Sequence, residues 1–312
     1  MRSSLQSSCG TPFCPYDDAV IRSVIVVPID ITYLVYDWAS SLWYEVIMDV
    51  NALRLTNKVA VVTGAARGIG KATALAFADL GAHVAVCDML DDELHETVIE
   101  IRNRGVNVVA DVLDVREGSL VAGFFDHVVS DLGSGDILVN NAGGGFWSPF
   151  AEVSENGELA LVRENFSSVS NCVRSVLPVM NDGGSIINVT SVEAYHSAPG
   201  FAVYAAMKAA VQQFTQSLAV ELGGRGIRVN CVAPDMIPTP GDVGLAEDSG
   251  ALIPGLLPTP LGRKGTPEEC ASVICFLASA LSSFVTGSSI PVDGGTVASG
   301  SWKVRDDGSW GM

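Results

Sequence analysis

The sequence is poor in basic residues: 18 lysines and arginines stand against 35 aspartates and glutamates, a formal charge of −17 over 312 residues. A chain so acidic repels phosphate backbones and anionic lipid surfaces, so neither nucleic acid nor membrane is expected as a partner. Metal ligands are lacking too. The histidines (His83, His95, His127 and His196) are scattered, and no His/Cys/carboxylate group has metal-ligand spacing, so no metal is expected. Seven cysteines, at 9, 14, 87, 172, 231, 270 and 275, are an odd number without a C-x-x-C pair. They read as reduced thiols of a cytoplasmic protein, most of them small core residues. No uninterrupted apolar stretch approaches the ~20 residues of a membrane span. Residues 23–36 come nearest, but Pro28 and Asp30 interrupt them, and Asp17 and Asp18 precede them where a signal peptide carries positive charge.

What the chain has is apolar mass, 48% of its residues, enough for a large α/β core. Residues 1–47 differ in texture from the rest and carry no motif. They are expected to be an N-terminal extension or a misassigned start, poorly ordered and without catalytic role. The alternative is an added strand or helix that covers a subunit surface with Trp38, Trp43 and Tyr44. Residues 48–312 are then the domain.

A short β-branched run, 58–63, feeds directly into Gly64-Ala-Ala-Arg67-Gly68-Ile69-Gly70, and an amphipathic helix follows to about Leu80. Glycines at such a turn let the backbone approach a pyrophosphate, and the helix N-terminus attracts its charge. A second strand, 83–87, ends at Asp88, 18 residues beyond Gly70, where an acidic residue meets the adenosine ribose. That carboxylate favours NAD over NADP, because it accepts from ribose hydroxyls and repels a 2′-phosphate. Arg67 is the counter-signal. Helix 91–104, strand 107–113, helix 117–132 and strand 136–140 continue the alternation, which predicts a doubly wound parallel sheet, a Rossmann fold. Asn140-Asn141-Ala142-Gly143 then sits at a C-terminal strand edge, where ligands bind in such sheets.

Further on, the apolar Ile186, Ile187 and Val189 end a buried strand, Pro199-Gly200 marks a turn, and an alanine-rich helix begins. Tyr204 and Lys208, four apart, share one face of it. An ammonium beside a phenol stabilises the phenolate and lowers its pKa from about 10 towards neutrality, which makes a general acid/base. Ser191 at the strand end offers a hydroxyl to the same place.

With these landmarks in order the chain resembles the short-chain dehydrogenase/reductase family in its classical form, over roughly 55–295. The resemblance rests on T-G-A-A-R-G-I-G at 63–70, Asp114-Val115, N-N-A-G at 140–143, Asn165, N-V-T-S at 188–191 and Y-A-A-M-K at 204–208. R-V-N-C-V-A-P at 228–234, Thr239 and P-V-D-G-G at 291–295 complete it. The resemblance implies that Tyr204 is the catalytic acid/base and that Lys208 holds the nicotinamide ribose and keeps the Tyr204 pKa low. It implies that Ser191 hydrogen-bonds the substrate oxygen and that Asn165 anchors a water leading from Lys208 to solvent. Cofactor contacts would come from Gly64, Arg67, Gly68, Ile69, Gly70 and Asp88, from Asp114 and Val115 beside the adenine, and from Asn141, Ala142 and Gly143. Pro234, Ile237 and Thr239 would contact the nicotinamide end. Members associate through the helices carrying Asn165 and Tyr204, so a homotetramer or homodimer is implied. Two positions depart from the pattern: Met207 precedes Lys208 where serine is common, and Asp235 follows Pro234 where glycine is common, which crowds the loop 235–240.

The proline- and glycine-rich connection 236–266 reads as a substrate lid. Leu252, Ile253, Leu256, Leu257 and Leu261, with Phe146 and Trp147, give it an apolar lining or else pack the lid and a subunit interface. Glu193 and His196, just after Ser191, could meet a polar substrate group, but the simpler reading is a solvated loop pair, and Trp302 and Trp310 in the tail suggest a subunit contact. The expected activity is NAD(H)-dependent interconversion of a secondary alcohol and a ketone on a largely apolar small molecule. The alternative is an NADPH-dependent 3-oxoacyl-[acyl-carrier-protein] reductase, which would need a basic docking surface; Arg225 is available, but the helix end before it reads Met180-Asn181-Asp182-Gly183-Gly184 without a basic cluster. A catalytically silent nucleotide-binding protein is the remote third reading, since such a module needs no acid/base pair.

Overall fold

The β-branched run after Lys58 folds as β1 (Val59–Thr63), with all five residues buried. A computed structural model of the chain describes residues 50–242 and 255–311. The expectations for 1–47, for Cys9 and Cys14, and for Leu252 and Ile253 lie outside the described residues. Chain contacts divide the protein into Met1–Asn51 and Ala52–Met312. The sheet and the helices packed on it, as described, belong to the second unit.

After β1 come α1 (Gly68–Asp79), β2 (His83–Asp88), α2 (Asp91–Arg102), β3 (Val108–Val112), α3 (Gly118–Leu132) and β4 (Gly135–Asn140). Helix α4 (Glu155–Val162) passes through a π-helical turn, Arg163–Ser167, into α5 (Ser168–Val176). Then follow β5 (Met180–Val189), α6 (Ala202–Leu222), β6 (Arg228–Pro234), α7 (Pro267–Ala278) and β7 (Ser289–Val292). The short α8 (Thr296–Ser299) leads to a tail hairpin, β8 (Lys303–Val304) and β9 (Trp310–Gly311).

The seven strands of the main sheet lie in the order β3-β2-β1-β4-β5-β6-β7 and pair in parallel throughout. The doubly wound Rossmann sheet is therefore present. Its central strands are buried on both faces, as parallel strands under helices must be, while the edge strands β3 and β7 are only partly covered. In β1 the alternation divides the residues: Ala60 and Val62 face a core shared with Phe77, Ile101 and Ile274. Val59 and Val61 face one shared with Phe124, Val173 and Leu218. The strand order reverses between β1 and β4, so a crevice opens at their carboxyl ends, the place where such sheets bind ligands.

Most elements begin and end within three residues of their expected places. One assignment is wrong. Met180-Asn181-Asp182-Gly183-Gly184 is the start of β5, not the end of a helix. Pro178, in the 3-10 turn Leu177–Val179, stops α5 short. Met180 then pairs beside Gly135, and the register shifts before Ile137 meets Ser185. Positive φ at Gly183 (77°) accommodates that irregularity.

A chain of buried polar side chains crosses the middle of the sheet. Asn140 Nδ2 donates to Asn188 Oδ1 at 2.8 Å, and Asn188 Nδ2 donates to Thr215 Oγ1 of α6 at 2.7 Å. The tail hairpin reaches the described end of the lid: Leu257 N donates to Val304 O at 2.9 Å, and Leu256 bridges to Arg305. Trp302 and Trp310 are exposed on it. Cys87, Cys172, Cys231, Cys270 and Cys275 are all free and buried, and among the described residues no group of three or more His, Cys, Asp and Glu is placed to hold a metal. No helix among them is long and apolar enough to cross a membrane.

Candidate active site

The carboxyl ends of β1 and β4 are stitched together by two side chains. Asn141 Nδ2 donates to Thr63 O at 3.1 Å and Gly64 O at 3.0 Å, while Thr63 Oγ1 accepts from the backbone N–H groups of Asn141 and Ala142, each at 3.1 Å. Nothing larger than hydrogen fits between them. A Cβ on Gly70 would lie 2.0 Å from Gly64 O, and one on Gly64, where φ is 66°, would lie 2.9 Å from Ala142 Cα. The glycines of the turn are thus required by close approach and by backbone conformation together.

Helix α1 opens at this turn with no side chain capping its first N–H groups. An uncapped helix N-terminus beside glycines fits a pyrophosphate. Asp88, at the end of β2, is fixed by the same loop. Its Oδ2 accepts from Ala66 N at 2.9 Å, and its Oδ1 accepts from Met89 N at 2.7 Å and Leu90 N at 3.1 Å. Arg67 is exposed and runs towards the segment after β6, its Nη2 3.6 Å from where a Cβ on Gly241 would sit. Thr239 from that segment packs on Gly68, while Ile237 is buried. Asp114 is clasped by Arg116, whose Nε and Nη2 reach its carboxylate at 2.6–2.9 Å. That hydrogen bonding holds the Asp114 carboxyl below its usual range.

The acid/base candidates meet on the other side of the crevice. Tyr204 and Lys208 share a face of α6, with Lys208 Nζ 5.4 Å from the Tyr204 ring centroid. Lys208 is buried and donates to Val189 O at 3.2 Å. Burial lowers its pKa to about 8, although Glu164, Cys231 and Glu193 favour the charged form. Gly143 lies between Lys208 and Asn165: a Cβ there would be 3.2 Å from Lys208 Nζ and 3.1 Å from Asn165 Oδ1.

Asn165 owes its aim to the π-helical turn. Its Nδ2 donates to the Leu161 carbonyl at 3.0 Å and to Gly144 O at 2.8 Å. Its Oδ1 accepts from Gly144 N at 3.3 Å. The amide therefore fastens the glycine run after β4 to the helix beneath it. Gly145 continues that run against Tyr204, where a Cβ would meet Cδ2 at 3.0 Å.

Ser191 lies just past β5, and its Oγ donates to the carboxylate of Glu193. Glu193 is half-buried, so the expected solvated loop pair is corrected: only His196 is exposed. Sequence reasoning missed the contact because the link needs the one-turn helix Val192–Ala194, which folds residue 193 back onto 191. The doubt over Asp235 is realised in Met236, whose φ is 49°. Burial pushes the Asp235 carboxyl up, opposed by a hydrogen bond from Thr296, and nearby Glu193 and Asp293 raise it further.

Beside Tyr204 opens a small apolar crevice lined by Phe146, Phe150, Val153, Leu161, Phe201 and Val203. Phe201 meets the Tyr204 ring edge-on at 6.2 Å between centroids. Trp147 packs onto Gly200, whose φ of 85° turns the chain into α6.

The chain is similar to known reductases and dehydrogenases. A family profile described as Enoyl-(Acyl carrier protein) reductase matches residues 64–297. The 3-oxoacyl-[acyl-carrier-protein] reductase FabG of Thermotoga maritima is 43% identical over 247 residues, which cover 78% of this chain and 100% of the relative. The cyclohexanol dehydrogenase of a Rhodococcus species is 39% identical over 275 residues, 78% of this chain and 97% of the relative. Among solved structures, a 7α-hydroxysteroid dehydrogenase complexed with NADH and 7-oxo glycochenodeoxycholic acid superposes with a TM-score of 0.74 at 34% identity, covering 80% of this chain and 98% of that one.

Proposed function

Given that the chain belongs to the classical short-chain dehydrogenase/reductase family, and is thus an oxidoreductase of CH–OH and keto groups that binds a nicotinamide cofactor, we propose that it interconverts a secondary alcohol and a ketone on a largely apolar small molecule with NAD(H). The observation that carries this reading is the buried Lys208, its Nζ 5.4 Å from the Tyr204 ring centroid and donating to Val189 O, two residues before Ser191. A nicotinamide cofactor supplies or accepts the hydride when bound. The protein does the rest. Tyr204 moves the proton to or from the substrate oxygen, Lys208 holds the ribose hydroxyls, and Ser191 hydrogen-bonds the same oxygen. Asn165 keeps the route from Lys208 in place. Gly64, Arg67, Gly68, Ile69 and Gly70 cradle the phosphates, Asp114 and Val115 flank the adenine, and Asn141, Ala142 and Gly143 line the middle of the cleft. Pro234, Ile237 and Thr239 face the nicotinamide. We assign this chemistry to 48–312, with 1–47 an extension that takes no part in it, and we take the working form as a homotetramer or homodimer.

The test is a panel of cyclohexanol, a benzylic and a straight-chain secondary alcohol, with the matching ketones, each with NAD(H) and NADP(H). Absorbance of the reduced nicotinamide reports turnover. Turnover of at least one pair with NAD(H) is expected; none with any pair would overturn the reading.

Asp88 supports NAD over NADP. Its carboxylate is fixed by three backbone N–H groups, so it cannot swing aside from a 2′-phosphate. Like charges ~4 Å apart at an effective dielectric of about 20 repel by roughly 4 kcal/mol, and half of that favours NAD more than ~10-fold. Asp88→Ala is expected to narrow the preference by improving NADP use while NAD use falls, read as kcat/KM for both cofactors. A wild-type preference for NADP(H) would refute this reading of Asp88.

The relatives named as 3-oxoacyl-[acyl-carrier-protein] reductases favour a second reading, NADPH-dependent reduction of a carrier-bound 3-oxoacyl group. Arg225, the basic residue available for an acidic carrier, is already tied to Asp182 at 2.8 Å and to the carbonyls of Leu177 and Met180 at 3.0 and 2.6 Å. Small alcohols and ketones therefore come first.

A further inference from the structure

We infer that Glu193 is a positioning residue that holds the hydroxyl proton of Ser191, so that before reaction the site receives an alcohol more readily than a ketone. This rests on the alcohol–ketone reading above. Ser191 is extended (φ −163°, ψ 162°) and occupies the cap position of the one-turn helix Val192–Ala194. A serine there ordinarily turns its oxygen back to accept from the helix N–H groups. Ser191 makes no such cap, and its hydroxyl points instead to Glu193. The turn that brings Glu193 back is closed by Ala194 N to Ser191 O at 3.1 Å and Tyr195 N to Val192 O at 2.8 Å. Lys208 and Asp235 are the charged neighbours of the Glu193 carboxylate.

A serine hydroxyl has one proton to give and two lone pairs to offer. A ketone oxygen can only accept. An alcohol can donate. With its proton committed to a carboxylate, in a bond stronger than any to a neutral carbonyl, Ser191 turns its lone pairs to the substrate. In the complex before reaction the hydroxyl of an alcohol donates to them directly and turns to Tyr204 only as its proton leaves, whereas a ketone must first draw the serine proton away from Glu193. Removing the negative charge releases that proton while every side-chain contact of Tyr204 stays in place; the charge it withdraws from Lys208 is the smallest of the influences on that lysine.

Glu193→Gln keeps the shape and removes the charge; Glu193→Ala removes the acceptor altogether. With cyclohexanol and cyclohexanone, or whichever pair of the panel turns over fastest, both variants are expected to lower KM for the ketone about 5-fold and raise KM for the alcohol about 5-fold. That factor is the difference between a charged and a neutral hydrogen bond. The same ligands used as inhibitors give binding constants free of the chemical step. The equilibrium constant belongs to the substrates, so the ratio of the two kcat/KM values stays near its wild-type value and each kcat moves in the same direction as its KM. Reduced-nicotinamide fluorescence on binding verifies that the variants are folded, and either variant alone suffices for the comparison. Two constants that rise together would mark a merely structural role and overturn the inference, as would changes smaller than about twofold in both. A wild-type protein inactive on every pair would instead bring down the alcohol–ketone reading, and this inference with it.

Discussion

Tyr204→Phe is expected to lower turnover at least about 100-fold while cofactor affinity stays near its wild-type value, the scale of a lost general acid/base. The change removes one oxygen and leaves the ring, so the edge-on contact with Phe201 and the packing beside Gly145 persist. Steady-state rates with the fastest alcohol–ketone pair, together with titration of reduced cofactor by fluorescence, separate the two effects. Turnover within tenfold of wild type would remove Tyr204 from the chemistry. A parallel loss of cofactor binding would mean that the ring, rather than the hydroxyl, had been disturbed.

Lys208→Met is expected to do something less intuitive: abolish most activity and stabilise the fold. On the roles proposed above the variant loses the ribose contact and the charge beside the phenol, so both cofactor affinity and turnover are expected to fall, the latter at least about 100-fold. Yet the lysine is costly where it stands. Burial lowers its pKa from 10.5 to about 8, and a shift of that size corresponds to about 3 kcal/mol spent on keeping the charged form buried. Losing the hydrogen bond to Val189 O offsets part of the gain, which leaves about 1–2 kcal/mol in favour of the variant at pH 7. The sign with pH follows from the direction of the shift. Below pH 8 both folded and unfolded states hold the proton, and the full penalty is present. Between about 8 and 10.5 the folded state releases it while the unfolded state keeps it, so the cofactor-free wild type gains stability as pH rises. Thermal midpoints of wild type and variant, compared without cofactor from pH 7 to 10, should converge. A Lys208→Met protein less stable than wild type at pH 7 would show that the ammonium is better compensated than burial alone allows.

Much of this site was legible in the chain because its decisive signals are local. A glycine turn between a strand and a helix, a carboxylate at the end of the next strand, and a tyrosine and lysine one helical turn apart can each be read within twenty residues or fewer. The structure sets them around one crevice because parallel strands deliver all their carboxyl ends to the same edge. What escaped were contacts made by a change of direction. Glu193 folds back on Ser191 through a single turn, and Asn165 is aimed by a π-helical turn that no periodicity announces. The start of β5 reads as a helix end because Asn181 to Gly184 are four polar or flexible residues in a row, and only the pairing of Met180 with Gly135 makes the segment strand. The tail hairpin, joined to Leu256 and Leu257 by main-chain bonds, left no pattern at all.

The buried chain from Asn140 through Asn188 to Thr215 has a consequence for accuracy. Parallel strands made of valine, isoleucine and alanine look alike at every step, so a slip of one residue along a neighbour exchanges one apolar side chain for another at little loss of contact. Such a slip displaces a strand end by about 3.3 Å and reverses its side chains. Amides are less forgiving than aliphatic carbons: each of these hydrogen bonds has one correct partner at one distance, and a slipped strand leaves the groups unpaired in the core at several kcal/mol. The two asparagines and the threonine therefore act as an indexing pin. They fix the register of β4 against β5 and how α6 lies across them, and with it the positions of the strand ends that carry Asn141 and Ser191 and of the helix that carries Tyr204.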